Sequence, residues 1–534
     1  MGTQAPCIYL YGLLLPGITN VTDRARYYSF YPWFLWASEK EGISKTRDEL
    51  ITYFRRADCL FTMIGKRHAM VSQEPEELLD RHYGTTVGID TLRNEVHNLK
   101  DNGFLTLSKY ATTDPVSERY FMNKFGGLGQ YYRGTLNELN ILSQVKNDIY
   151  GVTDEIGVKI AEAMDKSIDR QLFFKTILED KVTTSRLDSL NVFCNCQLHK
   201  FNEEAQGLVN IFFNADGSYD QNYQQRRESL GLILHLATEL EKLQQPLDVP
   251  TFRKCVYTGT LPNKKNWDIP DVLSDTYKKW EVYQRNDILS FALQSIIFPA
   301  LHELADMGLN VSGSSEFAQR FCGIPEVNAA ISNYPNGTIQ DLISKTQNEI
   351  PELSDFESNA HEFQMMDECR SLYRTGKAGR LKTFELAIKL LLTLAARRAM
   401  NFQYRDIEFP TGYLQQYPIN LKSFKNILEN HWNALTISQL IPWILIHWGV
   451  EVHLKIALKK LSSQPSKSTF LVLPSEQGLT IPHPDSLPRP VYTNPRIKQA
   501  IQILDDIGCL ERGVGKKYKV TPLGQQRLKE VCNA

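Results

Sequence analysis

The last forty residues place the tightest constraint on the fold, because a helix, a glycine stop and a hairpin follow one another there. Apolar side chains recur at helical spacing over residues 497–507, and Gly508 supplies the positive φ that ends a helix. Leu510 begins a short strand, and residues 518–520 form a second one before a Thr-Pro helix start. The pattern predicts a helix, a hairpin turning near residues 513–515, and a further helix.

The same pattern occurs a second time, nearer the N-terminus. Five identities share one separation of 368 residues: Leu136, Leu142, Tyr150, Val152 and Thr153 match Leu504, Leu510, Tyr518, Val520 and Thr521. Asn140 stands where Gly508 stands, and Asn is the other residue that tolerates the left-handed conformation. When the two segments are aligned at this separation, Gly157 lies one position later than Gly524. Residues 99–105 repeat only the Leu-x-x-x-Gly-x-Leu sequence at the end of the helix. We expect residues 127–164 to superpose on the C-terminal segment.

Both segments resemble the C-terminal half of winged-helix domains, in which a helix ending in a Leu-x-x-Ile-Gly-x-Leu type sequence, here residues 504–510, precedes a hairpin. The resemblance covers a small part of the chain, and it implies docking on DNA or on a partner protein. Winged ends joined by a helical middle also resemble kleisin-type partners of chromosome-organising ATPases, in which the winged domains bind protein.

The rest of the chain predicts a mainly α, multi-domain protein, because its apolar residues follow the helical period and strand signals are scarce. Seven prolines between residues 465 and 495 predict a loose tether. The predicted divisions are an N-terminal helical domain ending in a winged-helix-like unit (1–166), a helical body with a basic patch (167–461), a Pro/Ser-rich tether (462–494) and a C-terminal winged-helix-like unit (495–534).

Seven aromatic residues crowd the helix predicted behind Asp23, between Tyr27 and Trp36. The favoured interpretation is a central core helix, because buried aromatics dominate core energetics. The alternative is a stacking platform for unpaired bases, with Arg24 and Arg26 contacting phosphates. The next helix carries Arg55 beside Arg56, a pair that we expect on a solvated face.

Charge is balanced over the whole chain, with 60 basic and 61 acidic side chains, so any nucleic-acid contact must come from local patches. One basic patch lies between residues 370 and 405, where Glu385 is the only acidic residue. The candidate nucleic-acid-binding residues there are Arg374, Lys377, Arg380, Lys382, Arg397 and Arg398. The alternative is that the acidic residues of segment 352–368 neutralise them within the chain.

A second basic patch lies on the C-terminal hairpin. Its candidate phosphate contacts are Arg512, Lys516, Lys517 and Lys519. Asp505 and Asp506 end the helix that would read base edges, and their charge would repel phosphate. We therefore expect binding to duplex DNA without sequence-specific reading.

Signals for a metal or a catalytic site are weak. Cys194, Cys196 and His199 offer three ligands within six residues, but no fourth lies at zinc-finger spacing, so buried thiols are the favoured interpretation. Residues 302–306 resemble the zinc-protease helix motif, but Asp306 stands where that motif has its second His. Residues 179–181 (Glu-Asp-Lys) match the Glu-x-Lys of nuclease cores, but they lie in a predicted helix rather than in a strand. We predict no catalytic residue, no metal ligand and no cofactor.

The nine cysteines include no Cys-x-x-Cys pair, and no leader or long apolar run is evident, which favours a cytoplasmic protein without a membrane span. The leading hypothesis is a non-enzymatic, DNA-associated component of a multi-protein bacterial system. The chain also resembles proteins of multigene phage-defence cassettes, a resemblance that no single motif carries. The alternatives are a kleisin-like bridging subunit and an unrecognised nuclease.

Overall fold

The computed structural model describes residues 2–144, 150–214, 223–308, 310–334, 337–400, 417–463, 469–476 and 478–533. Within these ranges the protein is mainly α, which confirms the predicted fold class. Its strands are short and form four separate two-stranded antiparallel sheets.

In the first part of the chain, the described residues form thirteen α-helices. They are α1 (Ala5–Leu14), α2 (Tyr27–Lys40), α3 (Arg47–Val71), α4 (Asp80–Tyr83), α5 (Ile89–His97), α6 (Leu107–Ala111), α7 (Arg133–Glu138), α8 (Gly157–Asp165), α9 (Arg170–Glu179), α10 (Thr184–Ser189), α11 (Asn202–Phe213), α12 (Tyr223–Lys242) and α13 (Val249–Thr258). Its strands β1 (Leu105–Thr106) and β4 (Lys181–Val182) pair with each other, as do β2 (Leu142–Gln144) and β3 (Tyr150–Val152).

The long helix α14 (Asp271–Asp306) leads into the body of the protein. The helices of the body are α15 (Ser314–Cys322), α16 (Pro325–Ser332), α17 (Ile339–Gln347), α18 (Glu362–Leu372), α19 (Lys377–Met400), α20 (Leu421–Asn430), α21 (Ile437–Trp443) and α22 (Val452–Ser463). A hairpin of β5 (Leu473–Ser475) and β6 (Gly478–Thr480) follows. The chain then forms α23 (Ile497–Asp506), the hairpin β7 (Leu510–Arg512) with β8 (Tyr518–Val520), and α24 (Pro522–Cys532).

Two hydrophobic cores account for the packing. One joins buried residues between Cys7 and Tyr283 with those between Ile497 and Val531, so both ends of the chain share it. The other lies within residues 257–479. Helix α14 belongs to both, because its first turns pack in the shared core and its later turns in the body. The C-terminal segment is therefore a part of the N-terminal core.

Helix α2 lies at the centre of the shared core, which confirms the core interpretation of its aromatic cluster. Six of the seven rings are buried, and Trp36 is partly buried. The expectation for Arg55 is wrong: its side chain is fully buried and donates to the carbonyl oxygens of residues such as Ala111, Thr112 and Phe121. A buried guanidinium with carbonyl acceptors is satisfied without a carboxylate.

The two similar segments fold into the same helix–hairpin–helix arrangement. Strands β2 and β3 lie at the positions of β7 and β8 shifted by 368 residues, and Leu142 pairs with Val152 as Leu510 pairs with Val520. The preceding helices end on left-handed residues, Asn140 at a φ of 55° and Gly508 at a φ of 78°. The prediction of a repeated helix and hairpin is confirmed for the described residues; residues 145–149 of the first hairpin turn lie outside them.

The closing turn of each unit is also the same. The Thr153 hydroxyl donates to the Asn140 carbonyl oxygen over 2.6 Å, and the Thr521 hydroxyl donates to the Gly508 carbonyl oxygen over 2.6 Å. Each threonine Oγ1 then accepts from the backbone N–H of the glycine of the next helix, Gly157 or Gly524. A Cβ on either glycine would lie within 2.3 Å of a carbonyl oxygen, so these positions admit no side chain.

The two units hold the segment that leads into α2 from two sides. Glu138, at the end of α7, accepts from the Gly17 N–H over 2.8 Å, and Asp506, the corresponding residue of α23, accepts from the Ala25 N–H over 2.9 Å. Asp506 also forms a buried ion pair of 2.8 Å with Arg24. The contacts of Asp506 join the two ends of the chain.

The segment predicted to be a loose tether lies along α14 in part of its length. Thr493 donates through N–H and Oγ1 to the Asp287 carboxylate, the Val491 N–H donates to Gln294, and the Tyr492 hydroxyl donates to Asp367. The tether prediction is wrong for these residues, because prolines prevent helix formation without preventing an extended chain from bonding to a neighbour. Residues 464–468 and 477 lie outside the described part.

Two described helical segments are long and apolar enough to cross a membrane by length and composition, Asp271–Asp306 and Ile437–Ser463. The most apolar window of the first is 89% buried inside the protein, and that of the second is 50% buried. The first is thus the core helix shared by the two hydrophobic cores.

The ion pair between Arg24 and Asp506 predicts a non-additive effect on stability. Arg24→Met or Asp506→Leu alone leaves a buried charge without its partner and should lower the free energy of unfolding by about 3–5 kcal/mol. The double variant removes both charges and should recover most of this loss. Urea unfolding of the four proteins measures the coupling; a double variant as unstable as the sum of the single variants would contradict it.

Asp58 predicts a pH dependence of stability. Burial raises the pKa of this carboxyl to about 6, although Gly127, Tyr120 and Tyr31 donate hydrogen bonds to it. Between about pH 4 and 6 the folded state retains a proton that the unfolded state releases, so stability falls as pH rises. Over this pH range, we expect the free energy of unfolding of the wild type to fall by up to about 3 kcal/mol relative to that of Asp58→Asn. A pH-independent difference in the free energy of unfolding would contradict this assignment.

Candidate functional site

The basic patch of the body is largely neutralised within the chain. Arg380 binds the buried Glu303 over 3.0 Å and also contacts Asp306, and Lys377 binds Glu303 over 3.1 Å. The other pairs are Lys382 with Glu385, Arg397 with Glu362, and Arg398 with Glu429. Arg374 is exposed. The structure therefore places most of these predicted phosphate contacts in internal ion pairs; residues 401–405 lie outside the described part.

The cations of the C-terminal hairpin divide into two groups. Arg512 is bound, since its guanidinium pairs with Asp80 over 2.8 Å and donates to the Glu77 carbonyl oxygen. Lys516, Lys517 and Lys519 are exposed, and none of them forms an ion pair with another residue in the described part of the chain. They form a cationic hairpin edge.

Helix α23 cannot enter a DNA groove in this arrangement. Eight of its ten residues are buried, and Lys498 is the residue of this helix that is exposed. Its apolar face packs into the core shared by both chain ends. The helix that the winged-helix resemblance would assign to base reading is thus used for internal packing.

A cavity of about 1040 Å³ lies between the two helix–hairpin–helix units. Ile156 and Ile160 line it from the first unit, and Ile507 and Leu510 line it from the second. Its charged lining residues are Glu155, Glu203, Asp505, Glu511, Arg81 and Lys159. His199 also lines the cavity, and burial lowers its pKa. The excess of carboxylates over cations makes this cavity a poor phosphate site.

The carboxylates of the Glu-Asp-Lys segment, and Asp165 upstream of them, each bind neighbouring side chains. Asp165 accepts from the Trp33 indole and from Arg170, while Asp180 accepts from Ser108 and pairs with Arg56. Glu179 pairs with Arg186 over 3.2 Å. These contacts are structural in kind, since each carboxylate joins two elements of the first part of the chain.

Four potential metal ligands converge at a buried point that the sequence did not reveal. They are His68 Nδ1, His82 Nδ1, Cys194 Sγ and Cys196 Sγ, and all four atoms lie within 4.8 Å of one another. His68 is partly buried and the other three residues are buried. His199, the third ligand considered from the sequence, is not a member of this cluster and faces the cavity instead.

Local structure explains how the four residues meet. His68 lies in the last turn of α3 and His82 in α4. Gly65 permits this approach of the two helices, because a Cβ there would lie 2.6 Å from the His82 carbonyl oxygen. Cys194 is extended, at a φ of −61° and a ψ of 141°, between two short 3₁₀ helices (Asn191–Phe193 and Asn195–Lys200). With this backbone, each of the two sulfurs lies beside an imidazole nitrogen.

The surrounding groups orient the ligands. The Asn195 amide donates to the His82 carbonyl oxygen over 3.1 Å, and the buried Arg26 donates to the Cys194 carbonyl oxygen over 2.6 Å. Glu74 lies 3.1 Å from His82 Nε2. A carboxylate at Nε2 places the ring proton there and leaves Nδ1 with a free lone pair toward the cluster.

Proton affinities at the cluster favour a thiolate at Cys196 and a thiol at Cys194. The hydrogen bond from Cys194, together with those from His68 and His82, holds the pKa of Cys196 far below its ordinary value. Burial raises the pKa of the Cys194 thiol. Burial opposes the charged form of His82, but its contacts with Cys196 and Glu74 raise its pKa overall. Thiolate sulfur and neutral imidazole are the ligand forms that divalent metals bind.

Comparisons with protein-family models, with curated proteins and with solved structures found no match to this chain.

The internal pairing of Arg380 predicts different outcomes for two neighbouring cations. In Arg380→Ala, Glu303, whose side chain is 1% exposed, keeps only the more exposed Lys377 as an ion-pair partner among the described residues. The free energy of unfolding should therefore fall by about 1–3 kcal/mol. Arg374→Ala removes an exposed charge and should change stability by less than about 0.5 kcal/mol. Thermal and urea unfolding measure both; equal effects would show that the pairing with Glu303 contributes nothing.

Proposed function

We propose that the protein is a non-enzymatic, DNA-associated component of a multi-protein bacterial system, and that its winged-helix-like C-terminal unit contacts duplex DNA. The observation that carries the proposal is the cationic hairpin edge, Lys516, Lys517 and Lys519, which is exposed and unpaired within the described part of the chain. Clustered lysines on a hairpin suit a phosphate backbone. The nine free cysteines accord with a reducing cytoplasm.

The proposed contact is independent of base sequence. Helix α23 is buried in the shared core, so its side chains are not available to base edges in the major groove. Most cations of the body patch are bound to carboxylates and add little to the surface charge. The binding would then come from a few phosphate contacts and would weaken steeply with salt.

The bridging alternative receives less support. It requires the apolar face of α23 and the Tyr518 ring to dock on a partner protein, since interface energy concentrates in such anchors. In the structure that face packs inside the shared core, and Tyr518 packs against the same core. Glu241 also accepts from the Val520 N–H over 3.0 Å, which covers one edge of β8. Phage or mobile-element defence remains one setting for the proposed DNA-associated role.

Charge reversal on the hairpin tests the proposal. Lys516→Glu with Lys517→Glu turns two phosphate contacts into repulsions and should abolish binding of generic duplex DNA at low salt. Lys459→Glu with Lys460→Glu, an exposed pair on α22, makes the same change in net charge and serves as the matched control. Filter binding measures both. Equal loss of binding in the two variants, or no loss in the first, would contradict the assignment to the hairpin.

The salt dependence adds an independent measurement. If the two lysines each contact one phosphate, Lys516→Ala with Lys517→Ala should reduce the slope of log K against log salt by about 2. An unchanged slope with weaker binding would indicate that the hairpin acts through the fold, and melting temperatures of the variants distinguish that case.

A further inference from the structure

We propose that His68, His82, Cys194 and Cys196 bind one Zn²⁺ ion as a structural, tetrahedral Cys₂His₂ site. The proposal is independent of the DNA-associated role, because it rests on the ligand geometry of the first part of the chain. Two thiolates and two neutral imidazoles balance the charge of the ion, so the centre is neutral when buried.

Four of the six distances between the ligand atoms fit one tetrahedral ion. Zn–S bonds of about 2.3 Å and Zn–N bonds of about 2.05 Å place two nitrogens about 3.3 Å apart, nitrogen and sulfur about 3.6 Å apart, and two sulfurs about 3.8 Å apart. The corresponding distances are 3.2 Å between the two Nδ1 atoms, 3.4 Å and 3.3 Å between sulfur and nitrogen, and 3.5 Å between the sulfurs. Each of these four distances lies within a few tenths of an ångström of the expected edge, and the two remaining nitrogen–sulfur distances are within 4.8 Å.

Other uses of these four residues fit the geometry less well. A disulfide needs its sulfurs about 2.05 Å apart, whereas those of Cys194 and Cys196 are 3.5 Å apart. In a Rieske-type cluster the cysteines and the histidines bind different irons. Here each sulfur lies within 3.4 Å of an imidazole nitrogen, so the four atoms surround one point.

The residues around the four ligands also support a metal site. Glu74 at His82 Nε2 forms the carboxylate–histidine–metal arrangement that fixes ring orientation. Because four side chains complete the coordination, no position remains for water or substrate, which is typical of structural rather than catalytic zinc.

The ion would stiffen the surface on which the C-terminal hairpin rests. His68 and His82 lie at the two ends of the segment that connects α3 to α4, and this segment carries Glu77 and, as the first residue of α4, Asp80. Arg512 binds Asp80 and the Glu77 carbonyl oxygen, and the Gly515 N–H donates to the Glu77 carboxylate over 3.1 Å. On the other side of the site, a Cβ on Gly508 would lie 3.2 Å from His199 Cβ. Loss of zinc should therefore loosen the C-terminal unit.

Metal analysis of the purified full chain tests the proposal. We expect one zinc ion per chain by inductively coupled plasma mass spectrometry. Zinc should be lost from Cys194→Ser with Cys196→Ser and retained in Cys322→Ser with Cys532→Ser, a control pair outside the cluster. His199→Gln should also retain it, since His199 is not a ligand. Zinc-free wild type, an iron-containing chain, or zinc retained by the Cys194/Cys196 variant would overturn the site.

A milder variant keeps the test valid if the cysteine variant does not fold. Glu74→Gln should weaken zinc affinity by about 10–100-fold, measured by competition with a chelator. The control Glu76→Gln alters an exposed carboxylate two residues further along the chain and should leave affinity unchanged. Co²⁺ in place of zinc should give the visible bands of a tetrahedral ion and thiolate-to-metal charge transfer. Equal affinities for the two variants, or an octahedral cobalt spectrum, would overturn the proposal.

Discussion

The buried ion pair between Arg24 and Asp506 fixes the relation between the two ends of the chain. A charge in a low-dielectric interior is tolerated only when it is paired and hydrogen-bonded, and Asp506 meets this requirement with Arg24, the Ala25 N–H and Gln502. These contacts lie directly before α2, whose aromatic rings form the centre of the shared core. The last helix–hairpin–helix unit is therefore needed to complete the packing of the first helices.

The first helix–hairpin–helix unit, which contains Glu138, makes the corresponding contact at the other side of this segment. Glu138 and Asp506 occupy corresponding positions, and each accepts a backbone N–H from the chain between Gly17 and Ala25. The left-handed residues Asn140 and Gly508 turn both chains into their hairpins. The two units thus hold the segment between Gly17 and Ala25 from two sides. Residues of both units also line the acidic cavity.

Local signals in the sequence predicted these units well. A positive-φ residue, a Thr-Pro start and helical spacing act over a few residues, so α23, the β7–β8 hairpin and their earlier copy could be predicted. The aromatic core helix followed from composition alone. The mainly α class followed from the helical period of the apolar residues.

Partners that are distant in sequence could not be predicted. His82 and Cys194 are 112 residues apart, and neither Cys194–Cys196 nor His68–His82 has the spacing of a known zinc motif. Arg380 finds Glu303, 77 residues earlier, rather than the acidic stretch beside it. The proline-rich segment was predicted to be a loose tether, but its bonds to Asp287 and Gln294 depend on where α14 lies.

The central claim is that the C-terminal unit belongs to the N-terminal core, and native-state hydrogen exchange tests it most directly. Peptides covering α23 and peptides covering α2 are compared by mass spectrometry under increasing denaturant. We predict that the amides of both helices exchange through one cooperative opening with the same free energy and the same denaturant dependence. Exchange of α23 at a clearly lower free energy, while α2 stays protected, would show an independent C-terminal domain and contradict this arrangement.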